Sequence, residues 1–108
     1  MIHLTADTQI LLSTQPADFR RGIDGFAALC RGHLSQDPRG GILFMFINRD
    51  KTMVRGFCHD GTGFWLMTKR LSKGRFKGWP SPGEKCSPAT AKQLRALLYT
   101  GNADWRKA

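Results

Sequence analysis

Acidic residues are scarce in this sequence: eight Asp and Glu stand against 17 Lys and Arg, and none falls between Gly61 and Gly83. A nuclease or transposase centre of the two-metal type needs carboxylates converging on two ions about 3.5–4 Å apart. The acids present are Asp7, Asp18, Asp24, Asp37, Asp50, Asp60, Glu84 and Asp104. Their spacing marks no such cluster, and Asp50 and Asp60 sit among turn residues, so strand-cutting chemistry is not expected. No nucleophile stands in a Gly-x-Ser-x-Gly setting either. Cysteine is sparse as well. Cys30, Cys58 and Cys86 are odd in number, widely spaced and without a Cys-x-x-Cys pair, which argues against a disulfide framework. Cys30 with His33 and Cys58 with His59 are neighbouring ligand types, but nothing in the spacing joins them at one zinc ion. Neither metal nor other cofactor is expected. Long apolar runs are missing, and no strongly basic amphipathic helix stands out, so a membrane is not the partner. Met1 to Phe19 holds no Lys or Arg, unlike the charged start of a signal peptide. A cytoplasmic protein is the expectation.

What the chain does have is positive charge. Its formal net charge is +9, and a field of that sign draws polyanions and raises their encounter rate. Lys69, Arg70, Lys73, Arg75 and Lys77 fall within nine residues of the acid-free stretch, and each can neutralise a phosphate. Phe76 and Trp79 are interleaved with them. Two readings of these rings stay open: stacking on unpaired bases or packing into the core. Arg20 and Arg21 form a second, smaller basic site. Arg55-Gly56-Phe57 opens like an aromatic RNA-binding signature, but Cys58 and His59 break the match.

Length and composition suit one domain over residues 1–108, with 41% of residues apolar. Gln9 to Ser13 reads as a short strand. Ile23, Phe26, Ala27, Cys30 and Leu34 recur on one face of a helix, with Asp24 at its positive end and Pro38 as an outer limit. Ile42 to Ile47 is a continuous apolar hexamer, read as a strand covered on both faces. Asn48 to Lys51 turns the chain into a second strand, Thr52 to Cys58. Asp60-Gly61 predicts a hairpin turn, because both residues tolerate positive φ, leading to a third strand, Phe64 to Arg70. Ser87-Pro88 reads as N-cap and first residue of a second helix, with Ala91, Leu94, Leu97 and Leu98 as its apolar stripe and Gly101 as its stop. The fold class is α+β: an antiparallel β-meander of three to five strands packed with two α-helices.

Three blocks in order resemble one known family. Asp18-Phe19-Arg20-Arg21-Gly22-Ile23-Asp24-Gly25-Phe26-Ala27 is the first. Asp60-Gly61-Thr62-Gly63-Phe64-Trp65-Leu66 with Lys69-Arg70-Leu71 and Gly74-Arg75-Phe76 is the second. Trp79-Pro80, Gln93-Leu94, Leu97-Leu98 and Asp104-Trp105-Arg106 form the third. The chain resembles the TnpB-type accessory proteins, encoded by the second open reading frame, of insertion sequences of family sixty-six. These are distinct from the larger RNA-guided nucleases that share the name. Two stretches are longer than the family pattern: Lys77-Gly78 between Phe76 and Trp79, and Tyr99 to Ala103 before Asp104-Trp105. The resemblance implies a non-catalytic role in transposition beside a separate transposase that carries the acidic catalytic residues. It leaves two modes of action open. In one, the protein binds DNA, at element ends or as single-stranded intermediates, through Arg20, Arg21, Lys69, Arg70, Lys73, Arg75 and Lys77, and is nucleoid-associated when bound. In the other it is a protein adaptor docked on the transposase of the same element.

Overall fold

The computed structural model describes residues 4–81 and 83–105; Pro82 and the Arg106 of the third block lie outside the described residues. The elements are β1 (Ile10–Ser13), α1 (Ile23–Gly32), β2 (Leu43–Ile47), β3 (Met53–His59), β4 (Phe64–Arg70), β5 (Cys86–Ala89) and α2 (Ala91–Thr100). They build one five-stranded sheet in the order β4-β3-β2-β1-β5.

The apolar hexamer supplies the middle strand, and every residue of β2 is buried. Alternation sends Leu43, Met45 and Ile47 to one face, where they meet Ile10, Leu12, Val54, Phe76 and the α2 residues Ala91, Leu94 and Leu97. Phe44 and Phe46 go to the other, against Phe57, Leu34 and the α1 residues Phe26, Ala27 and Cys30. One helix therefore packs on each face. The expected stripe of α1 is buried apart from its first member, Ile23, which is exposed. Burial pushes the Cys30 thiol up to about 12, so it stays protonated and packs as a small apolar group.

The meander β2–β3–β4 is antiparallel, as the sequence predicts. The whole sheet is mixed, however, because β1 pairs parallel to β2, Ile10 opposite Leu43. The crossover through α1 returns the chain to the end from which β1 set out, and a strand entered there runs in the same direction. The fifth strand, β5, adds antiparallel to β1 at the far edge.

One local expectation is corrected. Ser87 and Pro88 do not start α2; they pair with Leu12 and Leu11 in β5. Proline is tolerated there because an edge strand has no second neighbour needing its N–H. The cap is Thr90, whose Oγ1 accepts from the Gln93 N–H at 3.1 Å while Gln93 Oε1 accepts from the Thr90 N–H at 2.9 Å. Thr-x-x-Gln is a capping box, and it outranks the Ser-Pro signal. In the β3–β4 turn only Gly61 takes a positive φ, +100°. Asp60 instead closes the loop with its carboxylate, accepting from the Thr62 and Gly63 N–H groups, the Thr62 hydroxyl and the Trp65 indole N–H. Those donors hold the carboxyl well below the ordinary range, the Thr62 N–H contributing most.

Replacing Thr90 by Ala removes one half of the capping box and is expected to cost about 1 kcal/mol. Ser87→Ala, now a strand substitution, should stay within about 0.5 kcal/mol. Urea unfolding of the two variants checks the order.

Candidate nucleic-acid interface

Strand direction decides which loops become neighbours. The pairs Ser13–Cys86, Ile47–Val54 and Met53–Arg70 all lie at one end of the sheet. From that end leave the segments 14–22, 48–52 and 71–85. Together with the last residue of β4 they carry Arg20, Arg21, Arg49, Lys51, Arg70, Lys73, Arg75, Lys77 and Lys85, all exposed, against three acids, Asp18, Asp50 and Glu84. Nine of the chain's 17 Lys and Arg are thus gathered at one end. The segments at the opposite end, 4–9, 33–42 and 60–63, carry Asp7, Asp37 and Asp60 with Arg39 as their one Lys or Arg. The two basic clusters seen in the sequence converge, and Arg49, Lys51 and Lys85 join them. Nothing in the sequence pattern singles out those three. They are isolated cations in turns, and only the strand order brings them in.

Segment 71–81 is a strap across this end. The Leu71 N–H donates to Thr52 O at 3.0 Å, the Phe76 N–H to Lys51 O at 2.7 Å and the Lys77 N–H to Gly101 O at 2.7 Å. The strap thus runs from the β4 edge past the β2–β3 turn to the end of α2. Phe76 anchors it, only 1% exposed in the α2-side core. Trp79 is half-buried against the same core and its indole N–H donates to Ser13 O at 2.9 Å. Both aromatics therefore pack, and Phe76 has no free face on which a base can stack. The flanking Arg75 and Lys77 are exposed. Gly78 passes so close to α2's exit that a Cβ there would lie 2.7 Å from Ala103 N, and Trp105 donates its indole N–H to Gly78 O.

Lys69 and Arg70 part company, since neighbours on a strand point to opposite faces. Lys69 turns to the α2 side, donates to Leu98 O and lies 5.7 Å from the Tyr99 ring; it places a cation at the negative end of that helix. Arg70, opposite Met53, stays with the basic end.

Arg20 and Arg21 are set by a residue read in the sequence only as part of a broken motif. The half-buried Arg55 donates to Phe19 O at 2.9 Å, Arg21 O at 3.3 Å and Thr68 Oγ1 at 2.7 Å, with its guanidinium 4.6 Å over the Phe19 ring. It pins the segment before α1 to the sheet. Gly25 lets that segment come close: a Cβ there would meet Arg21 Cβ at 2.8 Å. Arg20 forks onto Asp18, Nε to Oδ1 at 3.0 Å and Nη2 to Oδ2 at 2.8 Å. That fork holds the Asp18 carboxyl well below its usual range and answers part of the Arg20 charge locally. Between 16–20 and 48–50 lies an open cleft of about 380 Å³ that Met53 also lines. Among the described residues no group of three or more His, Cys, Asp and Glu is placed to hold a metal ion, and no helix is long and apolar enough to cross a membrane. What this surface offers is charge: several guanidinium and ammonium groups for successive phosphates.

The family model for IS66 Orf2-like proteins matches residues 8–108. Two similar proteins come from Sinorhizobium fredii. The uncharacterized protein y4jC is 40% identical over 76 residues, which cover 70% of this chain and 65% of its own length, less than two thirds. The uncharacterized protein y4hO is 33% identical over 100 residues, 93% of this chain and 84% of its own. No solved structure matches the chain significantly.

Truncating the strap's anchor, Phe76→Ala, is expected to cost about 3–5 kcal/mol, whereas Arg75→Ala beside it should change stability by less than about 0.5 kcal/mol. Equilibrium unfolding of the pair measures both. A stable Phe76→Ala protein would contradict the core placement.

Proposed function

The chain belongs to the IS66 Orf2-like family and so takes an accessory part in insertion-sequence transposition; we propose that it does this by holding DNA on the basic end of its sheet while a separate transposase performs the strand chemistry. The observation that carries this reading is the convergence of three loops that, with Arg70 at the end of β4, bring nine exposed cations to one end. Neutralising phosphates releases condensed counterions, which gives affinity without sequence information. Both helices have their apolar stripes occupied by the sheet, and neither stands out from the body as a reading head for the major groove. Selectivity for base sequence is accordingly weak. With Phe76 in the core and Trp79 committed to Ser13, stacking contributes little, so duplex at the element ends is favoured over single-stranded intermediates. The protein is non-enzymatic in this reading, needs no cofactor, and resides in the cytoplasm on nucleoid DNA when bound.

Duplex binding should fall with salt at a log–log slope of about −4, corresponding to four or five phosphate contacts. Exchanging Lys73, Arg75 and Lys77 together for Gln should make that slope shallower by about 2 to 3 and leave the melting temperature nearly unchanged. Fluorescence anisotropy at graded salt measures both. Binding that ignores salt, or a triple variant that binds like the parent, rules the basic end out. In the same preparations, magnesium or manganese should produce no nicked product on supercoiled plasmid. Nicking abolished by a single Asp→Asn substitution would make the protein an enzyme.

A further inference from the structure

The α2 face of the sheet is only partly covered. Leu94 and Leu98 of α2 form one wall of a groove and Met67 and Lys69 of β4 the other. The floor is Met45, Val54 and Gly56, and the cavity measures about 220 Å³. Of the four large apolar side chains that the described part of the protein leaves exposed, Met67 at 39% lines the groove, Trp65 at 42% lies two residues before it on the same face of β4, and Tyr99 at 84% follows the wall residue Leu98, its ring 5.7 Å from Lys69 Nζ. Gly56 gives the groove its depth, because a Cβ there would sit 3.2 Å from Met45 Sδ and 3.4 Å from Met67 Cε. An apolar trough of this kind beside exposed rings is unusual on a chain whose remaining surface is strongly charged.

We propose that this groove is a docking site for an acidic amphipathic helix of a partner protein. A helix satisfies its own backbone hydrogen bonds and can lie on an apolar floor without leaving polar groups unpaired. Trp65 to Lys69 spans about 13–14 Å, which matches about nine helical residues, close to the 10 of α2 itself. The helix would lie beside α2, and the thioethers of Met45 and Met67 can adapt to its side chains. Charge selects the sign of its flanks. Neither wall element contains an acid: on the groove's side β4 presents Lys69, with Arg70 facing away, α2 carries Lys92 and Arg95, and the Asp60 carboxylate near Trp65 is taken up by the donors of its own turn. Arg95 lies along the groove, donating to the carbonyl of its lining residue Leu4. A second copy of this chain, itself strongly basic, would be repelled from such a rim, and DNA would gain nothing from the apolar floor. That a protein partner exists rests on the accessory role; that the groove seats it rests on the shape of the trough and the charge of its walls.

Methyl resonances of selectively labelled methionines separate this site from the DNA surface, since Met45 and Met67 line the groove and Met53 lines the cleft at the basic end. The probe is a capped peptide of about fourteen residues, with Leu and Phe at i, i+3, i+4 and i+7 and Glu elsewhere. A matched peptide with Lys in place of Glu is the control. The Glu peptide should shift Met45 and Met67 and bind at least about tenfold more tightly than the Lys peptide, while duplex DNA shifts Met53. Met67→Glu and, separately, Tyr99→Ala at the exposed rim should each weaken the Glu peptide about tenfold, with thermal melting and DNA binding retained. The double exchange Lys69→Glu with Arg95→Glu should reverse the preference to the Lys peptide. No binding by the Glu peptide, equal binding of both peptides, DNA shifting Met67, or self-association that Met67→Glu abolishes would each overturn the proposal. A Met53 that ignores DNA while Met67 follows the peptide would remove the DNA reading and leave the groove standing.

Discussion

Five consecutive apolar side chains, Leu43 to Ile47, have to be withdrawn from water on both sides of one strand. Most of the architecture follows from that requirement. A strand buried on both faces must lie inside a sheet and must have a layer on each side. Here each layer is a single ten-residue helix. Placing α1 between β1 and β2 forces the parallel pair, and the parallel pair sends the exits of both strands to the same end. The β4 exit and the β5 entry then fall there too. The basic end is therefore a consequence of covering β2, with the cations placed on loops that the core had already brought together.

Crowding exposed cations on one end raises their mutual repulsion, and the structure offsets it locally. Arg20 is answered by Asp18, and Arg55, carried inward by the sheet, is held by three oxygen acceptors and two aromatic rings. Lys69 is drawn off to the carbonyl end of α2. The acids of the loops at the other end leave the molecule electrically lopsided, so a polyanion approaching from solution is turned toward the basic end before it touches anything.

Much of this was legible in the sequence where a side chain's neighbours are close along the chain. The meander from Leu43 to Arg70 and the stripe Phe26, Ala27, Cys30 and Leu34 depend on period-two and period-3.6 patterns, which local sequence carries. The parallel β1–β2 pair and the edge position of β5 depend on long-range pairing and left no periodic mark. Ser87-Pro88 misled because an edge strand and a helix start both tolerate proline, while Thr90 and Gln93, three residues apart, held the better signal. For the site, the cations themselves were visible as an acid-free run. Their meeting with Arg20 and Arg21 was not, nor was the recruitment of Arg49, Lys51 and Lys85. Phe76 was undecidable from sequence because a strap with alternate residues buried looks the same as one with alternate residues presented to a base.

Gly78 touches the stretch that follows α2, and Trp105 closes on the carbonyl of Gly78. Because they meet, the strap and the stretch after α2 form one packed unit built from sites far apart in the chain. A side chain at position 78 would run into Asn102, and a strap displaced from this path would leave the Trp105 indole N–H without its acceptor. A chimera that exchanges one of these two segments must therefore exchange both.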